Sequence, residues 1–564
     1  MKTILFTILS LLLPALTSAA VVEPRWANET YLSSAGLSAN NVALFNYGMD
    51  ILDSNFGLPF LWQSPKLSSW YAVGLLARNQ GGDVQVANKL LANIVTQQYT
   101  DETFIGYGTF KDPYYVPYSD GNSLFEPKIY DSFDPNINLF FTIAAMIIDS
   151  QFSDLIEASV LENMRKAMYI AVVGDGYRVG GIDDDNLYPG YSNPWYMRVV
   201  SAAYVGSLFN DANITYWGEV WAKQAIDLFD EHNSISEFNG GTYAGVTLFA
   251  ISLAQYTPKN STIYNAAPRL ISTIWDQIAE TYNPSLNTLS GPWDRTYGFD
   301  LTQYYGILGS AITGLIGLDG SYPMPKPLDG SVHYTDIAII PMQMVVAPYM
   351  EAQITSQAKS KLSALYGDHY YTAQTISPPW DKRPRNYTYW VADGLSAGGV
   401  SFDEGVVGGP SINQPSFSPG VILWDAGKGG AGSGYISYYP SNPSCEIVAS
   451  STNLTIRYVP TVDWPNSTVS NAIQLSISSL PNFQLNKGAF ANGQASLPGL
   501  DVSLSGNVVD QGTFSLTFTG DAINSFEYYN LTYSFPSSLS QGNYVPELVV
   551  GFTKTTPPSY DLFV

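Results

Sequence analysis

At 564 residues the chain is long enough for two domains with sizeable cores, and its formal charge of −23 leaves no basic stripe to hold a nucleic acid. A single cysteine, Cys445, excludes an internal disulfide, so the fold must rest on packing. Charged residues make up only 13% of the chain while aromatics reach 14%, with 40 Tyr and 12 Trp, a balance suited to stacking on the apolar faces of sugar rings.

Residues 1–20 read as a secretory signal peptide: Lys2, an apolar run too short to span a bilayer, Pro14, then small residues up to Ala20. The mature protein is therefore expected to be secreted and extracellular, with no membrane anchor. Asn-x-Ser/Thr sequons at Asn28, Asn213, Asn260, Asn386, Asn453, Asn466 and Asn530 agree with export and N-glycosylation.

Apolar residues then recur at three and four positions, as in Ala266, Leu270, Ile274 and Ile278, and predict helices over 41–52, 68–78, 83–98, 136–149, 155–172, 194–208, 215–231, 242–255, 262–282, 301–318, 336–350 and 356–366. Short connections alternate with long Tyr/Pro/Asp/Gly-rich ones, notably 107–134 and 174–193. That rhythm predicts an α/α toroid over residues 21–376, with the long loops sharing one face. A Pro-rich stretch, 377–385, is the expected linker. Beyond it, alternating runs at 435–439, 453–458, 472–477, 512–518 and 528–534, separated by turn residues, predict an antiparallel β-sandwich over 386–564.

Two segments concentrate polar and aromatic residues at the mouths of apolar helices. One is Gly-Pro-Trp-Asp-Arg at 291–295, continuing through Tyr297, Asp300 and Tyr304; the other runs from Glu231 through Glu237 and Asn239 to Tyr243. Asn239 and Tyr243 stand four apart, so they can share a face. Each also has a plainer use: Asn239 as a helix cap, Tyr243 in the core, Arg295 paired with Asp294 or Asp300.

With its helical toroid, C-terminal β domain and aromatic loops, the chain resembles the toroid-type polysaccharide lyases that act on hyaluronan, chondroitin and alginate. The resemblance implies β-elimination on a uronic-acid-containing glycan, using Asn, His, Tyr and Arg around a cleft. Carried onto this sequence, it implies Asn239 neutralising the substrate carboxylate, Tyr243 or Tyr297 transferring the proton, Arg295 supporting the charge and His333 as the histidine. Glu237, Trp293, Asp294, Asp300 and Tyr304 are then expected to line the substrate.

Two other readings stay open. Glu237, Asp294 and Asp300, with Asp134 and Asp183-Asp-Asp185 in other long loops, supply carboxyl groups for glycoside hydrolysis, which needs one protonated and one ionised. A non-catalytic secreted glycan-binding protein would need only the aromatic loops. In each case the partner is a polysaccharide or oligosaccharide. No metal or cofactor is expected: there is no HExxH, no Cys cluster and no nucleotide loop, and Asp183-Asp-Asp185 reads better as a solvated turn than as a calcium site.

Overall fold

The computed structural model describes residues 35–55, 64–112, 127–130, 132–178, 187–295, 306–317, 333–404, 417–427, 433–459, 470–478, 485, 488–519, 528–537 and 545–557. The N-terminal part is helical and the C-terminal part is an antiparallel sheet.

The helices are α1 (Ala39–Asn55), α2 (Pro65–Arg78), α3 (Asp83–Val95), α4 (Ile137–Gln151), α5 (Ala158–Gly176), α6 (Ser192–Leu208), α7 (Ala212–His232), α8 (Tyr243–Ser252), α9 (Thr262–Thr281), α10 (Ile307–Ile316), α11 (Ile340–Glu351) and α12 (Ser356–Ser363). Each predicted helical segment is present, with ends shifted by a few residues. The largest shift is at α10, which starts at Ile307 among the described residues.

Two kinds of helix alternate, and composition explains why. In α2, α4, α6, α8 and α11 nearly every side chain is buried, because apolar and small residues occupy the whole circumference. In α3, α5, α7 and α9 burial follows one stripe, as at Ile214, Gly218, Ala222, Ala225 and Phe229 of α7. The wholly buried helices contact one another in the circuit α2–α4–α6–α8–α11–α2, and α3, α5, α7 and α9 each back one of them. Helix α1 packs on α10 and α11, and α12 on α9.

A small ribbon, β1 (Tyr282–Asn283) and β2 (Thr288–Leu289), precedes the main sheet, whose strands are β3 (His369–Thr375), β4 (Arg385–Ala392), β5 (Leu395–Asp403), β6 (Gly420–Asp425), β7 (Ser433–Tyr439), β8 (Ser444–Ala449), β9 (Asn453–Tyr458), β10 (Ala472–Ser478), β11 (Gln494–Leu497), β12 (Leu500–Ser505), β13 (Thr513–Thr519), β14 (Tyr528–Ser534) and β15 (Glu547–Lys554). Among the described residues these 13 strands follow the order β11-β12-β15-β9-β8-β5-β6-β7-β10-β14-β13, with β3 and β4 branching from β5. Strand β5 (Leu395–Asp403) changes partner along its length. Its residues 395–399 pair with β6 (Gly420–Asp425), and Phe402 and Asp403 pair with β8 (Ser444–Ala449). Outer strands bury one face only, so β9 (Asn453–Tyr458) and β12 (Leu500–Ser505) alternate in burial. Strands β5 and β6 are buried on both faces, because the helical part covers the side that would otherwise meet solvent. Gly398 marks the tightest approach. A Cβ there would stand 1.7 Å from the Gly291 carbonyl oxygen, so only glycine fits beneath the loop from the helical part.

The sheet begins earlier than the sequence suggests. Strand β3 (His369–Thr375) pairs along its length with β4 (Arg385–Ala392), so 377–385 is a connection inside the sheet and not a linker ahead of it. Nor does it dangle: Ser377 N donates to Asp381, Arg385 binds Asp381 at 3.0 Å, and Trp380 packs edge-on against Tyr188. Prolines stiffen this stretch, and its buried ion pair holds it in place.

Candidate active site

The circuit of buried helices gathers its N-termini at one end. Lys66, in the first turn of α2, bonds Asp336 ahead of α11 at 2.8 Å and lies 4.6 Å over the Phe140 ring of α4. Arg178 donates to Asn136 at the start of α4. Asn193 in the first turn of α6 bonds Glu237 ahead of α8, and Leu308 N of α10 donates to Gly241 O. Of these helices, α4, α8 and α10 carry no side-chain cap, while a first-turn amide of α6 already donates to Glu237. Their first-turn amides and dipoles therefore favour negative charge at this mouth.

Tyr243, the first residue of α8, stands at the centre of the rim. The Arg295 guanidinium carbon lies 4.2 Å from its ring centroid and 5.6 Å from that of Tyr191. On another side the His333 ring meets Tyr243 edge-on with centroids 6.2 Å apart. Both Tyr243 and His333 are partly exposed. His333 has a left-handed backbone (φ 61°), and its Nδ1 is 3.0 Å from Asp336 Oδ2, which fixes the ring's orientation.

Four carboxyl groups surround this centre, and burial treats them differently. Glu237 accepts from the Asn193 amide N–H at 3.2 Å and from Asn193 Nδ2 at 3.0 Å, and lies 3.8 Å from Arg295. Burial pushes its carboxyl above the usual range, against the pull of Arg295 and Asn193. Asp112 is pushed up to about 6, again by burial, opposed by Ser64 and Lys66. Asp134 is raised by the same cause. Asp336 goes the other way: burial opposes its ionisation, but Lys66 and His333 hold it below the ordinary carboxylate range.

Of the residues expected from sequence, Glu237, Tyr243, Arg295 and His333 are brought together. Others in the same segments are turned away. Asn239 is fully buried, and its amide donates to the Ser290 and Pro292 carbonyls, so it clamps the loop and faces no ligand. Trp293 bonds Ser418 through its backbone and packs with Leu286, Val421, Leu423 and Tyr435, as core and not as a sugar platform. Asp294 is buried at the junction with the sheet, accepting from Tyr387 Oη at 2.7 Å and Arg385 at 3.4 Å. Burial raises this carboxyl too, against Arg385. Successive residues of an irregular loop point in different directions, so adjacency to Arg295 does not carry Trp293 and Asp294 into the mouth. Tyr297, Asp300 and Tyr304 lie outside the described residues, as does Asp183-Asp-Asp185.

Sequence patterns single out Asp134 as a candidate carboxylate but do not point to Lys66, Asp112, Arg178, Tyr191, Asn193 or Asp336. One of them left a signal. A lysine in the first turn of a helix opposes the dipole, and such a residue calls for a counter-ion that here is Asp336. Among the described residues no group of three or more His, Cys, Asp or Glu is placed to hold a metal ion, and no helix is long and apolar enough to cross a membrane.

Residues 42–348 match a family described as a domain of unknown function, DUF8769. The chain belongs to that family. A second match, to the domain of unknown function DUF8770, covers residues 367–553 and starts just before β3. The DUF8769 segment thus holds every described residue of the mouth, and the DUF8770 segment holds the sheet. No curated protein sequence matches this one. Among solved structures, the chain is similar to the heparinase III BT4657 gene product at 7% identity and TM-score 0.34, over 94% of this chain and 86% of that one. A form of the same product with methylated lysines matches at 9% identity and TM-score 0.23, over 86% of this chain and 90% of that one. Both scores fall below the level at which overlap supports a shared fold or activity.

Proposed function

We propose that this DUF8769 protein is a secreted, N-glycosylated polysaccharide lyase, and that the mouth cleaves a uronic-acid-containing glycan by β-elimination. On this reading the helical circuit is an α/α toroid and the sheet a β-sandwich that buttresses it. One observation carries the proposal: Tyr243 stands between the guanidinium of Arg295 and the ring of His333, at the end of the circuit where helix N-termini converge.

The chemistry needs three things at one place. A base takes the proton from C5, the electron pair forms the C4–C5 double bond, and the C4–O bond breaks, its oxygen taking up a proton. Charge building on the C6 carboxylate must meet preorganised donors. Tyr243 is assigned the proton transfer, with His333 as the partner that returns a proton to the leaving oxygen. Arg295 and the first turn of α8 are assigned the carboxylate, the role that burial denies to Asn239. Lys66, Arg178 and Arg295 are cations of this mouth, paired with Asp336, Asp175 and Glu237, and an anionic chain is assigned to meet them there.

Glycoside hydrolysis is favoured by a single observation, the Glu237 carboxyl that burial keeps toward its protonated form, as a general acid requires. The test incubates the full-length protein with a panel of polyuronates and neutral glycans, following ultraviolet absorbance beside reducing-end release. Unsaturated product from a polyuronate is the expected result. Reducing ends without it select hydrolysis, and retention on a glycan column with neither signal selects a binding protein.

A further inference from the structure

Beside the mouth, and sharing Arg178 with it, α5 and α7 enclose a cleft of about 380 Å³, walled by Val172, Val173, Tyr177, Ile214, Trp217 and Trp221. That is the small end of the range for ligand clefts. It has an aromatic floor open to solvent: Trp217 is 44% exposed and Tyr177 60%. The floor is also stiff. Trp221 stacks on Trp217 with centroids 6.1 Å apart, and the buried Arg198 holds its guanidinium carbon 4.4 Å from the Trp221 ring, itself fixed by Asp175 at 2.5 Å. Exposed, ordered indoles of this kind lack a partner that the protein core would explain.

Asn213 lines the same cleft, is exposed, and opens the sequon Asn-Ile-Thr. Asn213, Trp217 and Trp221 recur every fourth residue from the first turn of α7, so they share one face. Helical side chains lean toward the N-terminus, which places the Trp217 indole over the turn that carries Asn213.

We propose that this cleft seats the chain's own N-linked glycan, carried on Asn213, with its first N-acetylhexosamine rings laid on Trp217. Attachment joins the Asn213 amide nitrogen to C1 of the sugar, breaks the sugar–phosphate bond of a lipid-linked diphosphate donor, and releases the amide proton. The apolar C–H face of a pyranose then covers the indole, while its hydroxyls and acetamido group face solvent and the polar wall at Arg178. The sequon and the platform belong to one helix, so the glycan reaches its seat without reordering the chain. This inference rests on the export and N-glycosylation proposed above, and not on the catalytic reading.

The test uses full-length protein exported by a eukaryotic host that leaves its glycans oligomannose, digested under native conditions with endoglycosidase H and mapped by peptide mass. Glycan at Asn213 is expected to be released about tenfold more slowly than glycan at Asn260, which lies on an exposed turn, and Trp217→Ala should erase the lag. Equal release rates at the two sites, or an unmodified Asn213, overturn the proposal. In case Trp217→Ala fails to fold, Asn213→Gln gives a second readout: acrylamide quenching of tryptophan fluorescence must rise, and unchanged quenching counts against the seat. Retention of Asn213→Gln protein on a polysaccharide column, lost in the further Trp217→Ala change, would give the cleft to free substrate instead.

Discussion

Arg295 and Tyr243 come from segments fifty residues apart, yet the guanidinium carbon of one lies 4.2 Å from the ring centroid of the other. The contact joins a loop that docks on the sheet to the first turn of a buried helix. It gives the mouth a phenol with positive charge against its face, beside a histidine oriented by a carboxylate.

Removing either partner should stop turnover without unfolding the protein. Tyr243→Phe deletes the proton-transferring oxygen and keeps the ring, so a loss on the order of 10²–10⁴-fold in kcat is expected. Arg295→Ala should cost a comparable ~10²–10³-fold, because the developing charge loses its donor. Arg295→Lys keeps the charge but not the flat stack, and should recover only part of the rate. Unsaturated-product absorbance measures each, and circular dichroism confirms the fold.

Binding of a polyuronate should tighten as the pH falls. Burial pushes the Asp112 carboxyl up to about 6, so between pH 8 and 5.5 it takes up a proton and the mouth loses negative charge; burial moves Glu237 and Asp134 in the same direction. The substrate's own carboxylates stay ionised in that window. Affinity measured in the inactive Tyr243→Phe variant should rise toward acid pH, and Asp112→Asn should flatten the change.

The same shift makes a stability statement. Asp112 titrates higher in the folded protein than its usual 3.8, so the stability it contributes is full below about pH 4 and is lost as the pH rises through 6. Asp112→Asn should match wild type in unfolding free energy near pH 4 and exceed it by pH 7, by on the order of 2 kcal/mol once solvent screening is allowed for. A variant less stable than wild type at pH 7 would refute the assignment.

Lys66 and Asp336 behave as a coupled pair. Asp336 lies below the ordinary carboxylate range despite burial, so its contribution is present at neutral pH and fades only in strong acid. Asp336→Asn strands the ammonium of Lys66 and frees His333, and should cost about 3 kcal/mol in urea denaturation. Lys66→Met with Asp336→Asn should cost less than the two single changes summed, the deficit giving their coupling.

Arg385 anchors the helical part to the sheet. It is buried with three acids: Asp381 at 2.9 Å, Asp294 at 3.4 Å and Glu404 at 3.7 Å. Arg385→Met leaves these carboxylates in the interior and should destabilise the protein by roughly 3–5 kcal/mol. The deficit should shrink in acid, since Asp294 and Asp381 already have carboxyls raised by burial and protonate first. Thermal melts at pH 5 and 8 compare the two.

Much of this architecture is legible in the residue order, because helix periodicity and turn chemistry are local. Helix α9 announces itself through Ala266, Leu270, Ile274 and Ile278, and β9 through its alternation from Asn453 to Tyr458. Strands β5 and β6 are harder to read. Buried on both faces, they show no alternation, and Gly398 and Gly399 look like a turn until the loop above them is seen. Strand β3 falls inside the stretch assigned to the toroid, 21–376, because the prolines beyond it mark a connection without saying on which side the sheet begins.

The candidate site divides in the same way. Polar and aromatic residues at a loop-to-helix junction single out the segments ending in Tyr243 and Arg295, since such residues are out of place before an apolar helix. Which side chain of each segment enters the mouth is decided by packing. Asn239 is drawn to the Ser290 and Pro292 carbonyls, Trp293 to an apolar patch on the sheet and Asp294 to Arg385, because each finds its best partner there. Lys66, Tyr191 and Asp336 join Tyr243 only because the buried helices start at a common end. The linear chain thus determined which segments are helix, strand and polar mouth. Only the closed circuit, with its long-range contacts, decided which charges meet.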